Sequence, residues 1–460
     1  MRKLLLIAIC ALSTVPLAAQ NTDIESLAGL QFNFGNPGAR SLGMGGAFLG
    51  LADDASAAEA NPAGLTILRK PEVSIEARSW LEQQIFSTSG TYPEIDRTAF
   101  NHYSERVAVT FGSFVYPYKN WTFGAYYHEP LSNAGAGQVV PQRNEFTGAV
   151  ETNVPNFYLP KNGTPVTKEE CDHIRQTTGD FFSCLEYTIL PFLSALDVRE
   201  RTFGLSGAYN FGKISVGGTL RYQRFKESAF TFRVTPTFDF SSISVQATSD
   251  VTDQNSKVSE QSDITFTGGI KWTFNDKFSA GAVYKQGAKY DSPTFAANSD
   301  TDFKFVKVAD TTFHIPDIYG IGASYRPLPV LTVNADAVHV TYSNLVDNFV
   351  SINEDIRAID HAYHANDVTE LHLGAEYFFP MKINWALRAG YWHDPAHSIE
   401  FRGPVTTPDA VAAAILYPKG QDQNHISIGA GLAWKQFQID AAYDTAEHYK
   451  VGSISMVARF

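Results

Sequence analysis

The chain is short of charge, of cysteine and of long apolar runs. Asp, Glu, Lys and Arg make up only 18% of its 460 residues, below the usual quarter of a soluble protein. After the N-terminus no stretch of about 18 apolar residues occurs, which excludes a bundle of membrane helices. Cations are not in surplus: the formal net charge is −12, so a broad nucleic-acid-binding surface is excluded. The histidines show no HxH or HExxH spacing, so no metal site is supported and no cofactor is implied. No Ser–His–acid set assembles, which argues against an enzyme. Aromatics are plentiful, with 33 Phe, 21 Tyr and 6 Trp, and that excludes a disordered chain.

The first twenty residues read as a secretory signal. Met1-Arg2-Lys3 is a positive start, Leu4 to Leu12 an apolar core, and Val15-Pro16-Leu17-Ala18-Ala19-Gln20 a small-residue cleavage region. Cys10 lies inside the apolar core behind Ile9, where a lipoprotein would need a small residue. Export leaves Cys171 and Cys184, for which a disulfide in an oxidising compartment is the expected reading. The alternative is a metal site, with only His173 nearby to help.

From about residue 71 the pattern has period 2, in strands of which many are nine to eleven residues long. Leu371, Leu373, Ala375 and Tyr377 share one face, with Glu370, His372, Gly374 and Glu376 on the other. Trp385, Leu387, Ala389 and Tyr391 oppose Ala386, Arg388 and Gly390 in the same way. Short connections at 117–120, 211–213, 275–276, 326–329, 379–382 and 435–436 alternate with long ones. The long ones are expected near 81–103, 131–197, 228–258, 288–312, 343–367, 394–422 and 447–450. The arithmetic predicts an all-β fold, a 14-stranded antiparallel transmembrane β-barrel over residues 71–460. Alternation up to Phe460 resembles the C-terminal signal of bacterial outer-membrane proteins. A soluble sandwich or propeller would carry polar outward faces, whereas here one face of each strand is apolar and ringed by aromatics. The expected location is the bacterial outer membrane, in contact with lipid and lipopolysaccharide.

Residues 21–70 lack the strand pattern. Gly43-Met44-Gly45-Gly46-Ala47-Phe48 and Asp53-Asp54-Ala55-Ser56, followed by Asn61-Pro62-Ala63-Gly64-Leu65, are rich in small residues. Such a stretch permits close backbone approach and can fold into a lumen as a plug. A short helix is expected from Asp53-Asp54 through Ala60, stopped by Asn61-Pro62.

These residues resemble the hatch of the FadL family, outer-membrane transporters of long-chain fatty acids with relatives that admit aromatic hydrocarbons. Ile315 to Pro327, Glu370 to Tyr377, Leu387 to Tyr391 and Asp394-Pro395 resemble the family's late-barrel strands. The resemblance implies a fourteen-stranded barrel with the N-terminal hatch inside. It also implies passive diffusion of a hydrophobic small molecule, such as a long-chain fatty acid, which leaves sideways through a gap at a kinked third strand. The candidate strand here is Asn120 to Pro130, where Gly124 weakens pairing and Pro130 cannot donate, the plainer reading of Pro130 being that it ends the strand. Asn61, Pro62, Ala63 and Gly64, with Asp53, Asp54 and Phe48, are the expected gating or ligand-binding residues. Arg388 and Lys271 are the cations expected to meet a ligand carboxylate, unless luminal charges pair with one another or fasten the hatch. A monomer is expected. The alternative is a barrel that serves as a protein-secretion or assembly partner, to which the same Gly-rich start and Asn-Pro-Ala-Gly run are similar.

Overall fold

The computed structural model describes residues 32–460 except 88–98, 140, 144–149, 153–155, 162, 189–191, 238–247, 292, 299–303, 305, 310–311, 347–361, 408–409, 412, 415–416 and 448. The predicted signal segment lies outside the described residues. Fourteen strands form the barrel. They are β1 (Glu72–Ser87), β2 (Ala99–Tyr118), β3 (Trp121–Val139), β4 (Phe192–Asn210), β5 (Ile214–Thr237), β6 (Thr248–Asn275) and β7 (Phe278–Lys285). The second half comprises β8 (Ile318–Leu328), β9 (Leu331–Val340), β10 (Val368–Phe379), β11 (Asn384–Asp394), β12 (Gln423–Trp434), β13 (Phe437–Thr445) and β14 (Tyr449–Arg459). Each pairs antiparallel with its neighbours in sequence. The sheet closes where β1 meets β14, from Glu72 opposite Arg459 to Glu82 opposite Tyr449.

The period-2 sequence sets what faces where. Leu205, Leu220, Ile321, Ile426 and Ile454 are exposed on the outer wall, while Ser206, Thr219, Ser427 and Ser455 are buried inside. A water-soluble fold would reverse this assignment, whereas lipid supplies the missing apolar partner. Two aromatic bands bound the apolar zone. Trp121, Trp272, Tyr325, Trp385 and Trp434 lie near the short turns, and Phe203, Tyr222, Tyr319, Tyr391 and Tyr443 lie about two turns of the pleat higher. The short turns reverse the chain sharply: Lys119 and Lys435 take positive φ of 55° and 51°, in the left-handed region that two-residue hairpins use.

The long strands correct the expected boundaries. Loops were expected at 131–197 and 228–258, yet β3 continues to Val139 and β4 starts at Phe192, while β5 runs to Thr237 and β6 begins at Thr248. Above the bilayer no face needs to be apolar, so pairing persists without the alternation that marks it in sequence. The long insertion after β3 carries its own small unit. Helix α3 (Lys168–Thr178) starts at a Thr167–Glu170 capping box and is tied by a Cys171–Cys184 disulfide with Cα atoms 5.5 Å apart.

The plug fills the lumen at the short-turn end. It contains two four-residue helices, α1 (Ala39–Leu42) and α2 (Ala57–Ala60), and a 3-10 helix over Pro62–Ile67. The expected helix is shorter than its sequence suggested, because Asp54 turns back to accept from the Ser56 N–H at 2.9 Å and delays the start. Pro62 opens the following 3-10 helix, with Asn61 as its N-cap. Met44, Phe48, Leu51, Ala52, Ala55 and Leu65 form the plug's own apolar core with Phe111, Val115 and Tyr126 of the wall. Contact is close enough to demand glycine in the wall. A Cβ on Gly217 would overlap the Pro62–Ala63 peptide, and one on Gly390 would overlap the backbone at Met44–Gly45.

Candidate functional site

A plug with so little regular structure leaves many backbone groups unpaired, and each costs free energy when buried. The luminal faces of the strands supply the partners. Asp336 on β9 accepts from the N–H groups of Phe48 and Leu49 at 2.6 and 2.8 Å. Glu72 and Glu76 on β1 accept from Ala55 and Gly38 at 2.6 and 2.9 Å. His372 on β10 reaches the Gly45 carbonyl at 2.7 Å. Lys271 on β6 donates its Nζ to the Leu51 carbonyl, with the Ala52 carbonyl 3.5 Å away. Lys271 therefore holds the plug in this state.

Arg388 is placed similarly. Its guanidinium pairs with Glu376 at 2.7 Å and Asp440 at 2.8 Å, almost wholly removed from solvent. Glu376 in turn binds Arg40 of the plug at 2.8 Å, and Arg40 pairs with Asp53 at 2.5 Å and lies 3.6 Å from Asp54. Two expected site groups, Asp53-Asp54 and Arg388, are thus brought into one network through Arg40 and Glu376. It borders a small cavity on the short-turn side of the plug, with Phe378, Asn384 and Arg459.

A second cavity lies above the plug. Phe34, Leu49, Trp80, Ile318, Val338 and Trp392 give it apolar walls, and Pro130 of β3 belongs to its lining. The cations at this cavity are Arg78 and Lys285, not the two expected from sequence. Lys285 pairs with Glu59 of the plug at 3.1 Å. Arg78 pairs with Glu76 at 2.6 Å and donates to the Asn36 carbonyl at 2.6 Å. Alternation does mark Arg78 as luminal, since Glu72, Ser74, Glu76 and Arg78 are buried opposite exposed Val73 and Ile75; what it cannot show is that this one of several luminal cations reaches the cavity. Of the hatch aromatics, Phe34 lines this cavity and Phe32 joins the apolar cluster above it, with Phe225, Tyr290, Phe313, Tyr342 and Tyr417. Phe48 lies inside the plug core.

The chain at Phe32 is pinned from above. Tyr342 Oη donates to the Phe32 carbonyl at 2.7 Å, and His397 Nε2 lies 3.0 Å from the same oxygen. His397 follows β11 in an extracellular loop. Burial alone would lower its pKa, but Asp394 at 3.1 Å outweighs burial and raises it above the ordinary histidine value.

Wall and plug meet differently at β3. Among the described residues, β2–β3 pairing stops at Phe111–His128 and resumes at Ser104–Gly135. On the other side of β3 the register with β4 shifts between His128 and Leu131, so Glu129 and Pro130 form a bulge. The unpaired stretch of β2 and β3 thus lies beside the Pro130 that lines the cavity. Arg106 of β2 spans it to Glu129 at 2.8 Å.

Asn61, Pro62, Ala63 and Gly64 lie on a different arc. Asn61 Nδ2 donates to the Ile270 carbonyl of β6 and to the Leu49 carbonyl, both at 3.2 Å. The wall partner of Asn61 is thus β6, regularly paired on both sides of Ile270, and not the kinked β3. Gly64 backs onto Ala52, where a Cβ would overlap the Ala52 carbonyl. Plug residues that do reach β3 include Glu59, which accepts from Tyr126 Oη, and Ala58 and Leu65, beside Gly124.

Residues 192–455 match the profile of the outer membrane protein transport protein family (OMPP1/FadL/TodX). The chain belongs to this family. The FadL family consists of passive outer-membrane channels for hydrophobic compounds, not enzymes, and the barrel described above sits accordingly in the outer membrane. Solved structures share the FadL-type fold at low identity. A Ralstonia pickettii toluene transporter, TbuX, is 17% identical, with 93% of this chain and 99% of that one covered at a TM-score of 0.56. A Pseudomonas aeruginosa FadL homologue is 14% identical over 95% and 100%, with a TM-score of 0.57. The P. putida toluene transporter TodX is 13% identical over 93% and 99%, with a TM-score of 0.52. No curated protein sequence matches this member of the FadL family.

Proposed function

We propose that this barrel passes long-chain fatty acids or similar hydrophobic molecules, by a route from the luminal cavity sideways through the wall at β3. The observation that carries the reading is the coincidence of three features at Pro130: it lines the cavity, sits in the bulge, and borders the unpaired stretch of β2 and β3. An apolar ligand that leaves there enters lipid without crossing water, which lowers the barrier for a poorly soluble tail. The acyl tail would lie against Phe34, Trp80 and Trp392, and a carboxylate would share Lys285 with Glu59. Arg388 and Lys271 act in this scheme through the hatch, by setting how firmly it stays docked. Asn61 to Gly64 form the hinge on which the hatch segment against β3 shifts.

Labelled oleate uptake by cells lacking their own fatty-acid transporter tests this directly. Wild type should restore uptake. Asn61→Ala, which removes the bonds to Leu49 and Ile270 and costs about 1–2 kcal/mol, should reduce it at matched surface levels. Absence of oleate uptake by a correctly inserted wild-type barrel would exclude the fatty-acid reading. Toluene uptake, the activity in the names of two related structures, is the comparison to run beside it.

A further inference from the structure

The outer wall carries a basic patch for which neither the transport route nor the hatch gives a use. On neighbouring strands β4 and β5, Arg201 lies directly opposite Arg224, and Arg199 directly opposite Lys226. Two consecutive like-charged cross-strand pairs disfavour the sheet on their own. Alternation turns all four side chains outward, since the intervening Glu200, Thr202, Gln223 and Phe225 are buried in the lumen. Immediately below them the pair Phe203–Tyr222 belongs to the upper aromatic band. That band marks the bilayer boundary, so the cations stand at the height of the outer-leaflet headgroups. The side chains of Arg201 and Arg224 are 48% and 49% exposed. Each of the three arginines leans on one carboxylate: Arg199 on Asp197 at 2.8 Å, Arg201 on Glu129 at 3.5 Å and Arg224 on Glu260. Glu129 is shared with Arg106, which leaves the patch positive in a chain whose net charge is −12. On the far wall the corresponding groups include His339 beside Thr369 and His393 beside Asn424 and Asp422.

We propose that this face binds the phosphorylated glycolipid headgroup of the outer leaflet, lipid A. Guanidinium groups fork onto phosphate oxygens, a phosphate between Arg201 and Arg224 relieves their repulsion, and the acyl chains continue down over Leu205 and Leu220. The site would fix the barrel's lipid neighbour beside β3, next to the interrupted β2–β3 ladder.

Native mass spectrometry of the detergent-solubilised full-length protein tests the proposal with bis-phosphorylated lipid A, its enzymatically dephosphorylated form, and inorganic phosphate. The phosphorylated lipid should bind at least about ten-fold more tightly than the dephosphorylated lipid. The R201Q/R224Q protein should lose that preference, and R201K/R224K should keep part of it. Unchanged heat-modifiable gel mobility will show that each barrel is folded. Equal binding of the two lipids, or a preference undiminished in R201Q/R224Q, would overturn the assignment. Inorganic phosphate binding as tightly as the lipid would overturn it in favour of a free-anion site.

Discussion

Two arcs of the wall hold the hatch in opposite ways. Along β10 to β13 pairing is continuous, and the plug is tied by a buried chain of charges running Asp53, Arg40, Glu376, Arg388, Asp440. Along β2 to β4 the β2–β3 ladder is interrupted, and the plug is held there by packing on Phe111, Val115 and Tyr126 and by single hydrogen bonds from Ser113 to Ala55, Ser206 to Ala58 and Tyr126 to Glu59. Buried ion pairs are costly to break one at a time, whereas an interrupted ladder has already forfeited its hydrogen bonds. Under the proposed route the first arc is the anchor and the second is the side that moves. A plug released everywhere would leave an open pore; a plug released at one arc yields a side door.

The comparison is broken most severely by repairing the interrupted arc. Pro130→Val restores a backbone N–H within the unpaired stretch without changing the β2–β3 register, in which equal lengths of chain lie between Phe111–His128 and Ser104–Gly135. It should let the two strands pair further and take oleate uptake toward background in cells with normal surface levels of the barrel. Retained uptake would mean that the ligand leaves by another path.

Loosening the anchored arc comes next. Glu376→Gln leaves Arg40 and Arg388 each short of a buried partner, which costs about 3–5 kcal/mol. Steady ion conductance in planar bilayers, absent in wild type, is the expected sign of a displaced hatch. A smaller effect is expected from steric contact alone. Gly390→Ala drives a methyl into the Met44–Gly45 backbone and should cost about 1–3 kcal/mol, read as a lower denaturation midpoint with intermittent conductance.

The smallest effect concerns the tether at Phe32. Because the folded pKa of His397 is raised, its contribution is fully present below the ordinary histidine pKa and fades as pH rises through the folded value. Hydrogen-exchange protection at residues 33–36, measured relative to the base-catalysed intrinsic rate at each pH, should therefore fall at alkaline pH in wild type. A His397→Gln protein should show no such step; an identical step there would assign the pH response elsewhere.

Much of this architecture was legible from alternation and turn spacing. The strand count follows from them because lipid imposes one apolar face per strand wherever the chain crosses it. Above the membrane that constraint ends, so the upper halves of β5 and β6 carried no signal that sequence reading could use. The hatch residues were legible as a class: Asn61-Pro62-Ala63-Gly64 does sit where backbone meets backbone, against Gly217 and Gly269. Their partners were not legible, since a contact such as Asn61 to Ile270 depends on how a non-periodic segment threads a closed sheet. The same holds for Arg388. Its luminal face was readable from its neighbours, but its engagement by Glu376 and Asp440 requires knowing that three strands converge at one height. Pro130 was readable only as a residue that cannot donate, which fits a strand end even better than a bulge; β3 instead continues past it to Val139, with the bulge at Glu129 and Pro130.

The seam between β1 and β14 carries a consequence for biogenesis. The hatch is continuous with β1, and Ala39 at its heart donates to Ser455 of β14 at 3.2 Å. Ser453 of that strand bonds Glu76 at 2.6 Å, and Glu76 accepts from Gly38. The earliest folded segment thus waits for the strand synthesised more than four hundred positions later, a contact of very high sequence separation and correspondingly slow to form. Zipping the seam and seating the stopper are then a single late event, so a half-assembled cylinder is an unplugged one, and quality control that senses closure also senses whether the leak is sealed.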